Sequence, residues 1–188
     1  MGRTPGPANR DMSKAPVPIT ITMLEMRARP AHVRPQLPHS PDHVRAMLMR
    51  LADPPVHFYR YLYNTVGKDY LWVARRRMDD ASIATIVSDP KVELYVLYVG
   101  GCPAGYAELD FRQRREAELS YFGLLPEFIG RGYGNFLLGS AIDVAWSHEI
   151  ERLWVHTTTL DHQRALPLYQ KLGFVPYAQE RAEIVPID

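Results

Sequence analysis

Cysteine is nearly missing from this chain: Cys102 is the single example among 188 residues. One thiol cannot close an internal disulfide, so a reducing compartment, the cytoplasm, is the expected location. Long apolar runs are missing too, and nothing approaches the ~18–20 residues of a membrane helix. The nearest stretch, Leu94 to Ala107, is broken by Gly100, Gly101, Cys102 and Pro103 and reads as a hairpin between two strands. Met1 to Gly6 has no apolar signal-peptide core. Charge of one sign is absent as well: 22 Lys and Arg against 21 Asp and Glu leave a formal net charge of +1. A protein that neutralises nucleic-acid phosphates carries a clear basic excess, so no nucleic-acid partner is expected. The seven histidines lack a metal signature; His39 and His43 are spaced i, i+4 without the glutamate of an H-E-x-x-H pattern, and no metal is expected. No internal repeat is evident.

What remains is the composition of an ordinary globular protein, 46% hydrophobic and 23% charged. Pro5, Pro7, Pro16 and Pro18, with few apolar neighbours, mark residues 1–18 as a disordered tail, and residues 19–188 as one domain. A strand is expected over Ile19 to Arg27. A helix should run from Ser40 and Pro41 to Ala52, and a second from Val56 to Thr65. Tyr70 to Arg75 reads as a short strand and Asp80 to Ser88 as a short helix. Three strands follow, at Val92 to Val99, Gly105 to Phe111 and Ala117 to Leu125. Gly132 to His148 is a long helix in which Leu137, Leu138, Ala141, Ile142 and Ala145 recur at helical spacing. A strand at Leu153 to Thr157, a helix at Arg164 to Leu172, and strands at Phe174 to Ala178 and Ala182 to Val185 complete the chain. The order predicts a mixed α/β layer fold, antiparallel strands first and a parallel βαβ unit after them.

The most informative segment lies where the strand ending at Leu125 becomes a helix. Gly130, Gly132 and Gly134 alternate there, with Arg131 between the first two. Main-chain N–H groups uncovered by Cβ atoms, followed by a helix start, suit an anion such as a diphosphate, and Arg131 can add a charge-assisted contact. The spacing is not the dinucleotide fingerprint, because the sixth position is Asn135 from Gly130 and Leu137 from Gly132. It is not a P-loop either, since Gly134 is followed by Asn135 and Phe136. Taken alone, the glycines are also compatible with a plain structural turn.

Ile129-Gly130-Arg131-Gly132-Tyr133-Gly134 and, farther on, His162-Gln163-Arg164-Ala165-Leu166-Pro167-Leu168-Tyr169-Gln170-Lys171-Leu172-Gly173-Phe174 together resemble the GNAT superfamily of N-acetyltransferases. Ile129 stands where that family has Arg or Gln, and His162 where it has Asn. The resemblance implies acetyl-CoA as co-substrate and helices on both faces of the sheet. It places the pyrophosphate on residues 129–135 (Ile129 through Asn135), with His162 nearby. It also gives Leu124 and Leu125 main-chain roles, one N–H of the two facing the thioester oxygen. Tyr169 matches the family's general acid, a role suited to a phenol that stays protonated at neutral pH. Glu118 is the candidate base, thirteen residues before Arg131 as in histone-acetylating members; the competing reading is a solvated strand-end partner of Arg114 or Arg115. The implied acceptor is a small-molecule amine, and similar proteins are frequently homodimers. A non-catalytic acyl-CoA sensor on the same scaffold is the alternative.

Three further residues are candidates for the acceptor side. Glu108 shares a strand face with Asp110 and can attract a cationic amine, although such pairs also line wet sheet faces. Tyr59 and Tyr63 form one face of an aromatic helix, apart from Phe58, Leu62 and Val66. Cys102, with no His or acid beside it, reads as a turn cysteine.

Overall fold

Alternating β-branched and aromatic runs dominate the middle of this chain and build the sheet that organises everything else. The computed structural model describes residues 15–31, 36–38 and 45–187. Its elements are β1 (Val17–Met26), β2 (Ala46–Arg50), α1 (Val56–Gly67), α2 (Asp80–Val87), β3 (Val92–Val99), β4 (Cys102–Asp110), β5 (Glu116–Leu124), α3 (Tyr133–Ala145), β6 (Arg152–Thr158), α4 (Ala165–Lys171) and β7 (Val175–Ile184). Seven strands form one mixed sheet in the order β2-β3-β4-β5-β6-β1-β7. All neighbouring pairs are antiparallel except β5 and β6, which α3 connects as a parallel crossover. The mixed α/β architecture is therefore the expected one.

The two faces carry different helices. On one, α3 and α4 bury Leu137, Leu138, Ala141, Ile142, Ala145 and Tyr169 against Leu109, Leu119 and Val155. The helical spacing read from the sequence thus points inward. On the other, α1 and α2 bury Tyr59, Leu62, Val66 and Ile83 against Leu94, Val96 and Tyr106. Burial of each such side chain stabilises the fold by roughly 1.5–3 kcal/mol.

Several expectations need correction. The helix predicted from Ser40 to Ala52 has its start outside the described residues, and Ala46–Arg50 is a strand. Ala, Met, Leu and Arg are good helix formers. Here they pair along β3 from Ala46↔Val99 to Arg50↔Tyr95, covering backbone groups that β3 would otherwise leave open. Tyr70 to Arg75 is not a strand: single 3₁₀ turns occupy Lys68–Tyr70 and Arg75–Arg77, separated by Leu71 in the left-handed region. That reversal lays Trp72 on Gly67, where a Cβ would meet the Trp72 Cβ at 2.4 Å. Finally, the two terminal strands are one, because polar Gln179, Glu180 and Arg181 pair with β1 along a sheet edge that tolerates exposure on both faces. The proline-rich tail lies outside the described residues through residue 14, and Val17 and Pro18 already belong to β1.

Candidate functional site

A register fault in β5 creates the site. Leu109 pairs with Leu119 and Glu108 with Tyr121, so Ser120 is an extra residue opposite none. A bulge bends its strand and resets side-chain alternation beyond it. Leu119, Phe122 and Leu124 consequently face α3 and α4, while Glu118, Tyr121 and Gly123 face α1. Pairing between β5 and β6 covers only Glu116↔Arg152 to Glu118↔Trp154. Beyond it β6 stays bonded to β1 as far as Thr158, and β5 diverges alone.

The resulting cleft, about 570 Å³, passes between the two strands and is lined from both faces of the sheet. Its β5 wall has a free main-chain edge. Leu125 donates its N–H to the Ala104 carbonyl at 2.9 Å. Main-chain groups alternate along a strand, so the Leu124 N–H is directed to the opposite edge, into the gap. Of the two leucines expected to serve, only Leu124 has its N–H available.

One end of the cleft is the glycine turn. Gly130 and Gly132 have φ of 82° and 86°, a region that costs side-chain-bearing residues energy. A Cβ on Gly130 would meet nothing within 4 Å, so the space above that peptide is open. Gly132 caps α3 without a side-chain hydrogen bond to the first helical turn, which leaves that turn's N–H groups and the positive end of the helix to a ligand. Asn135, in the same turn, has its side-chain Oδ1 buried with no partner among the described residues. An open cradle, uncapped donors and an orphaned amide oxygen fit a diphosphate-bearing ligand that also carries amide or hydroxyl donors.

Leu124, Ile129, Gly130, Gly132, Gly134, Asn135, His162, Tyr169 and Tyr63 all border the cleft. Tyr169 is buried, its ring against Phe122 and Phe174 at centroid distances of 6.1 and 5.7 Å. Burial, seconded by Asp161, holds its hydroxyl well above the ordinary phenol range, so it stays protonated and able to donate. Its hydroxyl bonds to no group among the described residues. His162 turns its Nδ1 back to accept the Arg164 N–H at 3.1 Å.

The remaining candidates lie elsewhere. Arg131 is exposed, with its guanidinium over the Phe128 ring at 5.8 Å, and Tyr133 is packed into the core; neither side chain lines the cleft. Tyr59 and Glu108 are fully buried behind the wall rather than at its surface. Tyr59 donates its hydroxyl to Glu108 Oε2 at 2.7 Å, and Arg75 reaches Glu108 Oε1 with Nη2 at 2.7 Å and the Tyr59 hydroxyl with Nε at 3.1 Å. Burial pushes the Glu108 carboxyl upward, opposed by Arg75 and Tyr59. Glu108 is thus half of an internal ion pair and not a wet-face residue. Glu118 has no bond to Arg114 or Arg115; its Oε1 lies 3.6 Å from Nδ1 of His156, whose side chain borders the cleft. The neighbouring Glu118 carboxylate raises the titration of His156, against an opposing effect of burial.

Tyr70, Trp72, Tyr121, His156 and Asp161 also line the cleft and were not among the site candidates drawn from the sequence. Asp161 accepts from the Thr157 hydroxyl and the Thr158 N–H, both at 2.7 Å, and from the Trp72 indole at 3.3 Å. The density of rings in Tyr70-Leu71-Trp72 was a signal, but reading that stretch as a strand concealed it. His156 becomes visible only through the parallel register of β6 beside β5.

Residues 58–174 match the family model described as the acetyltransferase (GNAT) family. An N-acetyltransferase of Methanocaldococcus jannaschii, itself uncharacterised, is 32% identical over 88 residues, which is 43% of this chain and 38% of that relative. The chain thus spans well under two thirds of that relative's length. A GCN5-related N-acetyltransferase of Sphaerobacter thermophilus superposes with a TM-score of 0.59 at 17% identity, over 93% of this chain and 54% of the other. An aminoglycoside acetyltransferase from an uncultured soil metagenomic sample, solved with sisomicin, gives 0.57 at 13% identity, over 68% and 87%. Likeness at these identities speaks to the fold alone.

Proposed function

The chain belongs to the acetyltransferase (GNAT) family, and from that premise we propose that it moves the acetyl group of acetyl-CoA to a primary amine by direct attack in a ternary complex. The observation that carries this reading is the cleft through the sheet, with main-chain donors and Tyr169 toward one face and acid and imidazole groups toward the other. Two substrates entering from opposite faces meet beside β5 without a covalent enzyme intermediate. Acetyl-CoA supplies the activated acyl carbon and a thiolate leaving group.

The chain's own groups do the rest. N–H groups of residues 130–135 and the start of α3 hold the diphosphate. The Leu124 N–H, free of β4, stabilises negative charge on the acyl oxygen. Asn135 takes polar groups near the turn, and His162, whose ring meets Tyr70 at 6.3 Å, takes them farther along the cleft. Attack joins nitrogen to the acyl carbon as the carbon–sulfur bond breaks, and Tyr169 gives the departing sulfur its proton. The proton lost from nitrogen goes to His156, since its side chain borders the cleft while Glu118 stands behind it. Glu118 orients the imidazole and stabilises the imidazolium, as the third member of a nucleophile–base–orienter set does. Tyr59 and Glu108 act indirectly, by holding the wall.

Thiol release from acetyl-CoA in the presence of amines tests the reading, together with the rise in Tm on adding coenzyme A. A Tm that does not move with saturating coenzyme A removes the cradle. A clear shift with no thiol from any amine would favour a sensor on this scaffold.

A further inference from the structure

The acceptor end of the cleft has a composition of its own. Tyr121 and Trp72 meet at 5.2 Å between centroids, and Tyr63 packs behind both at 4.9 and 5.5 Å. Tyr70 extends this wall, and Leu71 and Ile184 add aliphatic surface. The polar tips of two of these rings are already engaged: the Trp72 indole donates to Asp161, and the Tyr63 hydroxyl accepts the Arg75 N–H at 3.2 Å. What the rings offer a ligand is therefore apolar surface.

The charges here are equally one-sided. Asp161 borders the cleft and Glu118 stands just behind His156. Arg164, at the start of α4, is the one Arg or Lys among the lining residues; its main-chain N–H is bonded to His162, whose ring meets Tyr70 at 6.3 Å. Asp161 already accepts three hydrogen bonds. A carboxylate has about four lone-pair sites, so room is left for one further donor. Arg75 covers the Tyr121 ring at 5.2 Å, so a cation is already stacked on that ring.

Resting on the acetyl-transfer reading, we infer that the acceptor is a monocationic primary amine with an aromatic body. Its ring lies against Tyr70, Trp72 and Tyr121, and its ammonium group donates to Asp161, loses one proton to water, and as the free amine gives its second proton to His156 during attack. A second cation finds no free acceptor and meets Arg75 behind the wall. A carboxylate on the acceptor meets Asp161 and Glu118, two acids against the single Arg164 of the lining, and like charges so placed oppose binding.

The experiment compares kcat/KM for 2-phenylethylamine, phenylalanine, spermidine and sisomicin, with thiol release as the readout and acetyl-CoA saturating. Phenylalanine keeps the ring and adds a carboxylate; spermidine and sisomicin multiply the positive charge. 2-Phenylethylamine should exceed each of the others at least tenfold. Tyr70→Ala should lower its kcat/KM about tenfold through KM, with the coenzyme A shift in Tm unchanged. Asp161→Asn should raise KM for 2-phenylethylamine, and Trp72→Ala is a weaker test because Trp72 also packs on Gly67. Faster turnover of spermidine, sisomicin or phenylalanine overturns the acceptor class while leaving acetyl transfer standing. A coenzyme A shift without thiol release from any of the four amines overturns the acceptor class alone, whereas absence of that shift overturns the acetyl-transfer reading beneath it.

Discussion

The two sides of the cleft are built by different means. Toward α3 and α4 the ligand-facing groups are largely main chain: an unpaired β5 edge, glycines at positive φ and the bare first turn of a helix. Toward α1 they are side chains from distant segments, with Tyr63, Trp72 and Tyr121 touching one another over an internal Arg75–Glu108 pair. A main-chain site needs a particular backbone path and tolerates most side chains that respect it. A side-chain site needs several separate segments packed in one arrangement. Stability should therefore be concentrated in the α1 side and cofactor binding in the other.

The largest effect should come from the ion pair. Glu108 is fully buried and Arg75 nearly so; Arg75→Met strands a carboxylate in the interior. Removing one partner of a buried pair costs about 3–5 kcal/mol, read as a lower urea midpoint with an unchanged slope. Combining it with Glu108→Leu should recover most of the loss, because no charge is then left behind. If Arg75→Met alone were neutral, the α1 side would not depend on this pair.

Tyr169→Phe makes the opposite split. Its hydroxyl bonds to nothing among the described residues, so unfolding should barely change. Loss of general-acid catalysis should lower kcat about a hundredfold, about 2.7 kcal/mol of barrier, with the coenzyme A shift in Tm retained. A variant that keeps full kcat would remove the acid role.

These contrasts explain what could be read from sequence. The glycine turn and Tyr169 sit in two short continuous motifs, and the helix that presents Leu137, Leu138 and Ala141 to the core declares itself by period. Strand pairing carried less local information: Met47 and Met49 look helical until β3 is beside them. The bulge at Ser120 carried none, yet it decides that Glu118 and Tyr121 share a face. Tyr59 and Tyr63 do not form a face apart from Leu62 and Val66: all four are buried together, since only the sheet beneath α1 tells which side of that helix is buried.

Gly130→Ala should act on both scales at a smaller size. With nothing within 4 Å of a new methyl, the cost to folding comes from φ alone, about 1–2 kcal/mol for a side-chain-bearing residue in the left-handed region. The methyl occupies the open cradle, so the coenzyme A shift in Tm should be lost as well. Gly134→Ala should cost folding little, because it is helical and its Cβ would make ordinary 3.7 Å contacts with Leu124 and Leu168. If Gly130→Ala retained the whole shift, the diphosphate would not sit on that peptide.

The smallest effect concerns Glu118 and His156, where the two sides meet. The Glu118 carboxylate, 3.6 Å away, holds the imidazole above its ordinary titration near 6.5, so the folded state binds that proton more tightly than the unfolded chain. The stabilisation is fully present below the unfolded value and is lost as pH rises through the raised one. Glu118→Gln removes the carboxylate charge and should bring the His156 titration down, as followed through its imidazole Cε1 proton by NMR. His156 must be neutral to accept a proton from the amine, so kcat/KM rises as pH increases through its titration. In Glu118→Gln that ascending limb should move to lower pH, at some cost in plateau rate because the imidazolium loses its partner. A limb that stays in place would assign the titrating base to another group. The proton would then leave the amine by a route that the bulge, for all its effect on Glu118, does not control.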